Sequence, residues 1–121
     1  DVEFVYNLIL VLHFIGLASV VGGFLVQMKS PDKGVNPAMV HGALTQLVTG
    51  VLMVGIVEMG MYLPYEGYEI DHAKIGVKLL LTVAITVLAF VGRKRTPPQV
   101  GFWGAIGALS IANILIAVFW S

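Results

Sequence analysis

No cysteine occurs in these 121 residues, and only 12% of them are charged. The first absence excludes disulfides, thiolate-held metal ions and cysteine nucleophiles, and it leaves the redox compartment unmarked. The second excludes an ordinary soluble domain, which at this length needs polar side chains over most of its surface. Seven basic and seven acidic residues cancel to zero formal charge, and no basic block is large enough to suggest nucleic acid binding. The sequence also lacks a phosphate-binding glycine loop, a nucleophile set beside a base, and a pair of catalytic carboxylates. No catalytic residue is therefore expected, and an enzyme is the less favoured reading.

What the chain does have is apolar length. Hydrophobic residues make up 58% of it, with a mean hydropathy of +0.92. Four runs stand out, over residues 4–26, 38–63, 73–91 and 100–120. Each approaches the roughly 20 residues that cross about 30 Å of hydrocarbon as a helix. In lipid the backbone must satisfy its own hydrogen bonds, and runs of this length do so only as helices. The first run is too long and too weakly flanked to be a cleaved signal peptide, so it is read as a permanent span. Asn36-Pro37 supplies a capping residue and a helix-starting proline before the second run, Asp71 can cap the third, and Pro97-Pro98 separates the last two. The connections 27–37, 64–72 and 92–99 are short, which predicts antiparallel neighbours: an all-α, up-down four-helix membrane bundle forming one domain over residues 1–121.

Basic residues set the orientation. Lys29 and Lys33 lie in the first connection and Arg93, Lys94 and Arg95 in the third, whereas the middle one carries Glu66, Glu69 and Asp71. The first and third connections are expected in the cytoplasm, with both termini and the acidic connection outside. Lys74 and Lys78, at the outer start of the third span, run against this rule.

Ionisable residues inside spans are costly, and each is a candidate site. His13 lies nine residues past Phe4, about 13 Å along the axis and so near the midplane. A neutral imidazole there can ligate heme iron, bind a quinone oxygen or relay a proton. The plainer reading is a hydrogen bond to a neighbouring helix, with Tyr6 and Ser19 on hand. His41 opens the second span at its cytoplasmic end, followed by Thr45 and Thr49 in one polar line with Gln46 beside it. This line suits a head-group or quinone site, or simple interhelical hydrogen bonding. His72 falls at the outer mouth of the third span as a surface residue. Glu58 and Lys78 are expected at similar depth on antiparallel helices and predict an ion pair, with Lys74 one turn above as a second partner.

Small residues suggest where helices approach. Gly16, Ser19 and Gly23 form a stripe on the first span, and Gly42, Gln46 and Gly50 another on the second. Gly104, Ala108 and Ala112 form a third on the last span, flanked by Gly101 and Ala105. The last span has more small positions than an isolated bundle needs, which points to a partner subunit or a homo-oligomer. Asn113, in mid-span, also requires a hydrogen-bond partner.

Leu12-His13-Phe14-Ile15-Gly16, followed by Gly22-Gly23, resembles the first helix of copper-resistance D-like and related cytochrome-b-like membrane proteins. The segments from His41 to Gly50 and from Asp71 to Lys78 resemble a family of small uncharacterised actinobacterial membrane proteins. That likeness covers most of the chain and implies a multi-pass protein of a bacterial plasma membrane, but it brings no activity with it. A bis-histidine heme needs two imidazoles at one depth on different helices. His13, His41 and His72 are offset by on the order of 10 Å or more, so a heme would need Met53, Met59 or another chain. The same offsets disfavour a three-ligand metal site. Three functions remain open. The first is a non-catalytic accessory subunit packed against a larger membrane assembly, such as a respiratory complex. The second is a carrier of b-type heme or quinone centred on His13, with His41 as a further cofactor residue. The third is proton or ion transport through Glu58, Lys78 and His13.

Overall fold

The computed structural model describes residues 1–120, and among these it contains four helices and no strand. They are α1 (Val2–Leu25), α2 (Pro37–Glu58), α3 (His72–Gly92) and α4 (Val100–Phe119). All four are long and apolar enough to cross a membrane. Contacts run α1 to α2, α2 to α3, α3 to α4 and back from α4 to α1, so the helices form a closed ring of up-down neighbours. Asp1, Trp120 and residues 59–71 share one end, here the acidic end. Residues 26–36 and 93–99 share the other, the basic end.

Local chemistry starts each helix. The Asp1 Oδ1 accepts from the Phe4 amide at 2.8 Å, Asn36 Oδ1 from Met39 at 3.0 Å, and Asp71 Oδ1 from Lys74 at 3.0 Å. Each satisfies an amide that has no partner in the first helical turn. No side chain caps the start of α4. Its N-cap residue, Gln99, serves α3 instead: Nε2 donates to the carbonyls of Gly92 at 2.9 Å and Arg95 at 2.7 Å.

The main departure from expectation is the end of α2. The apolar run continues to residue 63, but the helix stops at Glu58. Gly60 takes a positive φ of 73°. Its amide donates to the Val57 carbonyl at 3.0 Å, and that of Met61 donates to Ile56 at 3.1 Å. This pair of bonds around a left-handed glycine is the Schellman termination. The chain then folds back over the acidic end, where Tyr62 packs on Tyr6 of α1 with ring centroids 4.7 Å apart.

Packing is densest toward the basic end. Val20, Met39, Val40, Ala43, Ile85, Ala89 and Ile106 form the core there, with Met39 and Ile106 fully enclosed. Glycine permits this closeness where α1 crosses α2. A Cβ added to Gly42 would meet the Gly16 carbonyl oxygen at 2.7 Å and the Val20 nitrogen at 2.8 Å. Gly23 sits against Asn36 and Met39, and the Ser19 hydroxyl donates to the Ala38 carbonyl at 2.7 Å. On α4 the glycine facing the bundle is Gly107, covered by the Phe24 ring, which stacks on Trp103. The stripe of Gly104, Ala108 and Ala112 does not make this contact. Gly104 has open space where a Cβ would stand, Ala108 is exposed and Ala112 is half-buried. Around the outside, large apolar side chains such as Phe4, Leu80 and Val118 are about two-thirds exposed (66%, 68% and 69%). Apolar exposure on every helix is what a lipid-facing surface requires.

Candidate functional site

The half of the bundle nearer the acidic end is hollow. A cavity of about 170 Å³ opens there between all four helices and is covered by Tyr68 and Ile70 of the connection between α2 and α3. Gly50 helps to make the space, because it offers no side chain opposite the His13 ring. A Cβ there would stand 3.6 Å from His13 Cε1. Met53, Val54, Val57, Ile75 and Leu79 give the cavity an apolar wall. Tyr6, His13, Lys78, Thr82 and Asn113 bring polar atoms to it.

His13 is oriented by α2. Its Nδ1 lies 2.8 Å from Thr49 Oγ1, and that hydroxyl donates its one proton to the Thr45 carbonyl at 2.6 Å. With that proton on the Thr45 carbonyl, the Thr49 oxygen accepts, and the imidazole proton is assigned to Nδ1 with a lone pair on Nε2. Nε2 has no hydrogen-bond partner among the described residues. Gln46 Nε2 donates to the main-chain carbonyl of His13 and ties the same turn of α1 to α2. Of the polar line read along α2, Thr49 bonds the imidazole and Gln46 the main chain of the same residue, while His41 takes no part.

Lys78 is also half-buried on this cavity wall. The ion pair expected between Glu58 and Lys78 is not formed: Glu58 Oε1 instead lies 2.6 Å from His72 Nε2. The early end of α2 is the cause. With α2 stopping at Glu58 and α3 starting at His72, those two residues meet at the end of the bundle. Lys78 lies six residues, or about 9 Å, deeper. Lys74, also expected to serve Glu58, reaches the Ala117 carbonyl of α4 at 3.5 Å. The nearest carboxylate in sequence, Asp71, accepts from the Lys74 amide and, at 3.1 Å, from Trp120 Nε1. The Lys78 ammonium group forms no hydrogen bond or ion pair with any described residue.

Asn113 finds its partner on α3. Nδ2 donates to Thr82 Oγ1 at 2.9 Å, and Thr82 in turn donates to the Lys78 carbonyl at 2.8 Å. Asn113 Oδ1 is buried and has no partner. Over the cavity, burial pushes the Tyr68 phenol above its ordinary pKa, and Tyr65 and the Asp71 charge act in the same direction. Tyr68 therefore stays a protonated donor through the neutral range.

The three histidines do not come together. His41 is exposed toward the basic end, eight residues or about 12 Å along α2 from the Thr49 that holds His13. His72 is at the acidic surface. Met53 lines the cavity with His13, whereas Met59 is 77% exposed beyond the end of α2. Among the described residues no three histidine, aspartate or glutamate side chains converge. The contributions of Tyr68 and Ile70 were not foreseeable from the apolar runs. They depend on how the connection after Gly60 folds over the bundle.

Compared with protein-family models, curated proteins and solved structures, the chain matches none.

Proposed function

We propose that this chain is a non-enzymatic binding protein of a bacterial plasma membrane, which holds the polar head of a lipid-soluble small molecule beside His13 and Lys78. The observation that carries this reading is the cavity of about 170 Å³ reached by all four helices. A membrane bundle with no ligand would be expected to fill such space with side chains, since voids forfeit packing. An apolar cavity of about 150 Å³ accommodates benzene, so one six-membered ring or a comparably compact head fits. A quinol is such a head, with His13 Nε2 available to accept from its hydroxyl. A porphyrin is several times too large, and only one histidine lines the space, which weighs against the heme form of the carrier. Glu58 lies outside the cavity, so the transport reading loses one of its three residues.

The basic end, with Lys29, Lys33, Arg93, Lys94 and Arg95, is taken to face the cytoplasm. The cavity then lies in the outer half of the membrane. A second reading, an accessory subunit of a larger membrane assembly such as a respiratory complex, is supported by the outward face of α4. There Gly101 and Gly104 leave open space that a partner helix would fill.

Gly50→Leu tests the binding reading, because it fills the cavity from a position where a Cβ makes only ordinary contact. Protein purified in mild detergent should carry a stoichiometric small molecule in its organic extract, and Gly50→Leu should lose most of it while keeping its thermal stability. Equal extracts from both proteins would contradict the proposal.

A further inference from the structure

Within that reading, the charge of the ligand follows from Lys78. An ammonium group held in a membrane span without a counter-charge is costly, and such groups are normally paired or shifted to water. Every acidic side chain near this end of the bundle is accounted for elsewhere. Glu58 is taken by His72. Both Asp71 oxygens are occupied by Lys74 N–H and Trp120, and Asp1 caps α1. Glu3, Glu66 and Glu69 are exposed and do not line the cavity. Lys74, one turn nearer the end, has a carbonyl partner in Ala117. Lys78 has none, and the wall beside it contributes no anion.

We infer that the ligand supplies the missing negative charge: the cavity takes the carboxylate of a single-chain lipid acid, with Lys78 as its ionic partner. The volume of the cavity suits one small head rather than a larger zwitterionic one. Tyr6 and Tyr68 offer hydroxyl donors around the same space. Met53, Val54, Val57 and Leu79 then receive the first methylenes of the chain. No bond is made or broken; the site is one of recognition.

The inference rests on the cavity being a ligand site, and the test separates the two. Resin-bound protein in detergent is equilibrated with radiolabelled laurate or, in parallel, with dodecanol, which has the same chain and no charge. Laurate should bind at least about tenfold more tightly than dodecanol. Lys78→Met should remove that preference, Lys78→Arg should retain it, and Gly50→Leu should abolish binding of both. If wild-type protein binds laurate and dodecanol equally, the acid assignment is overturned and the cavity reading stands. If Gly50→Leu alters neither, the cavity is not the site and both fail. The wild-type comparison decides the charge question even if a Lys78 variant does not fold.

Discussion

Gly42 and Gly55 lie on the same helix and would respond in opposite ways to one added methyl group. At Gly42 the methyl would enter the backbone of α1, where Gly16 and Val20 leave no room. At Gly55 it would meet nothing within 4 Å. Gly42→Ala should destabilise the bundle by about 1–3 kcal/mol through overpacking, while Gly55→Ala should be neutral or slightly stabilising through helix propensity. Reversible unfolding in mixed detergent micelles would measure both. Asn113→Leu should cost little, within about 1 kcal/mol, because it removes a buried unpaired oxygen together with one hydrogen bond. His13 stood out in the sequence as a lone polar group in mid-span, and so did the need of Asn113 for a partner. Which atoms answer them, Thr49 and Thr82, depends on how α1 meets α2 and α3 meets α4. No spacing within a single helix encodes that.

At the scale of elements, the short α2 changes most of the chemistry at the acidic end. Gly60 sits in an apolar run among other glycines, and nothing in that run distinguishes a helix-ending glycine from a packing one. Its positive φ does. Gly60→Ala should therefore cost about 1 kcal/mol, unlike the same change at Gly55. The error in the expected ion pair has the same source: extending α2 to residue 63 brings Glu58 level with Lys78, whereas ending it at Glu58 brings it level with His72. Because Glu58 and His72 are exposed, 42% and 75% for their side chains, Glu58→Gln should cost no more than about 1 kcal/mol. In the connection above the cavity, the raised pKa of Tyr68 fixes a sign. The folded state holds its phenol proton more firmly than the unfolded chain does. The resulting stabilisation is complete below the ordinary value of 10.0 and is lost as pH rises through the folded value. Alkaline absorbance titrations of the wild type and Tyr68→Phe should differ by the loss of one late-ionising tyrosine in the variant.

Across the whole molecule the two halves of the bundle divide the work. Toward the basic end, close glycine crossings and an enclosed core of Met39, Ala43, Ile85, Ala89 and Ile106 hold the helices together. Toward the acidic end the same helices stand around a cavity that brings His13, Lys78 and Asn113 to one space. The number of spans, their caps at Asn36 and Asp71, and the up-down order were legible because lipid dictates length and caps are local. The cavity was not legible, since it is a property of the space between helices.

The absence of cysteine allows the most direct test of that space, since a single introduced thiol reports on its own. Met53 lines the cavity and its neighbour Leu52 faces lipid, 48% exposed. A small membrane-impermeant thiol reagent added from the acidic side should modify Met53→Cys about tenfold faster than Leu52→Cys, because only the former borders the cavity while the latter faces lipid. Laurate should slow that modification and leave Leu52→Cys unaffected. A cysteine at residue 53 as inert as one at residue 52 would contradict the cavity, and with it the account of His13 and Lys78 as a binding site.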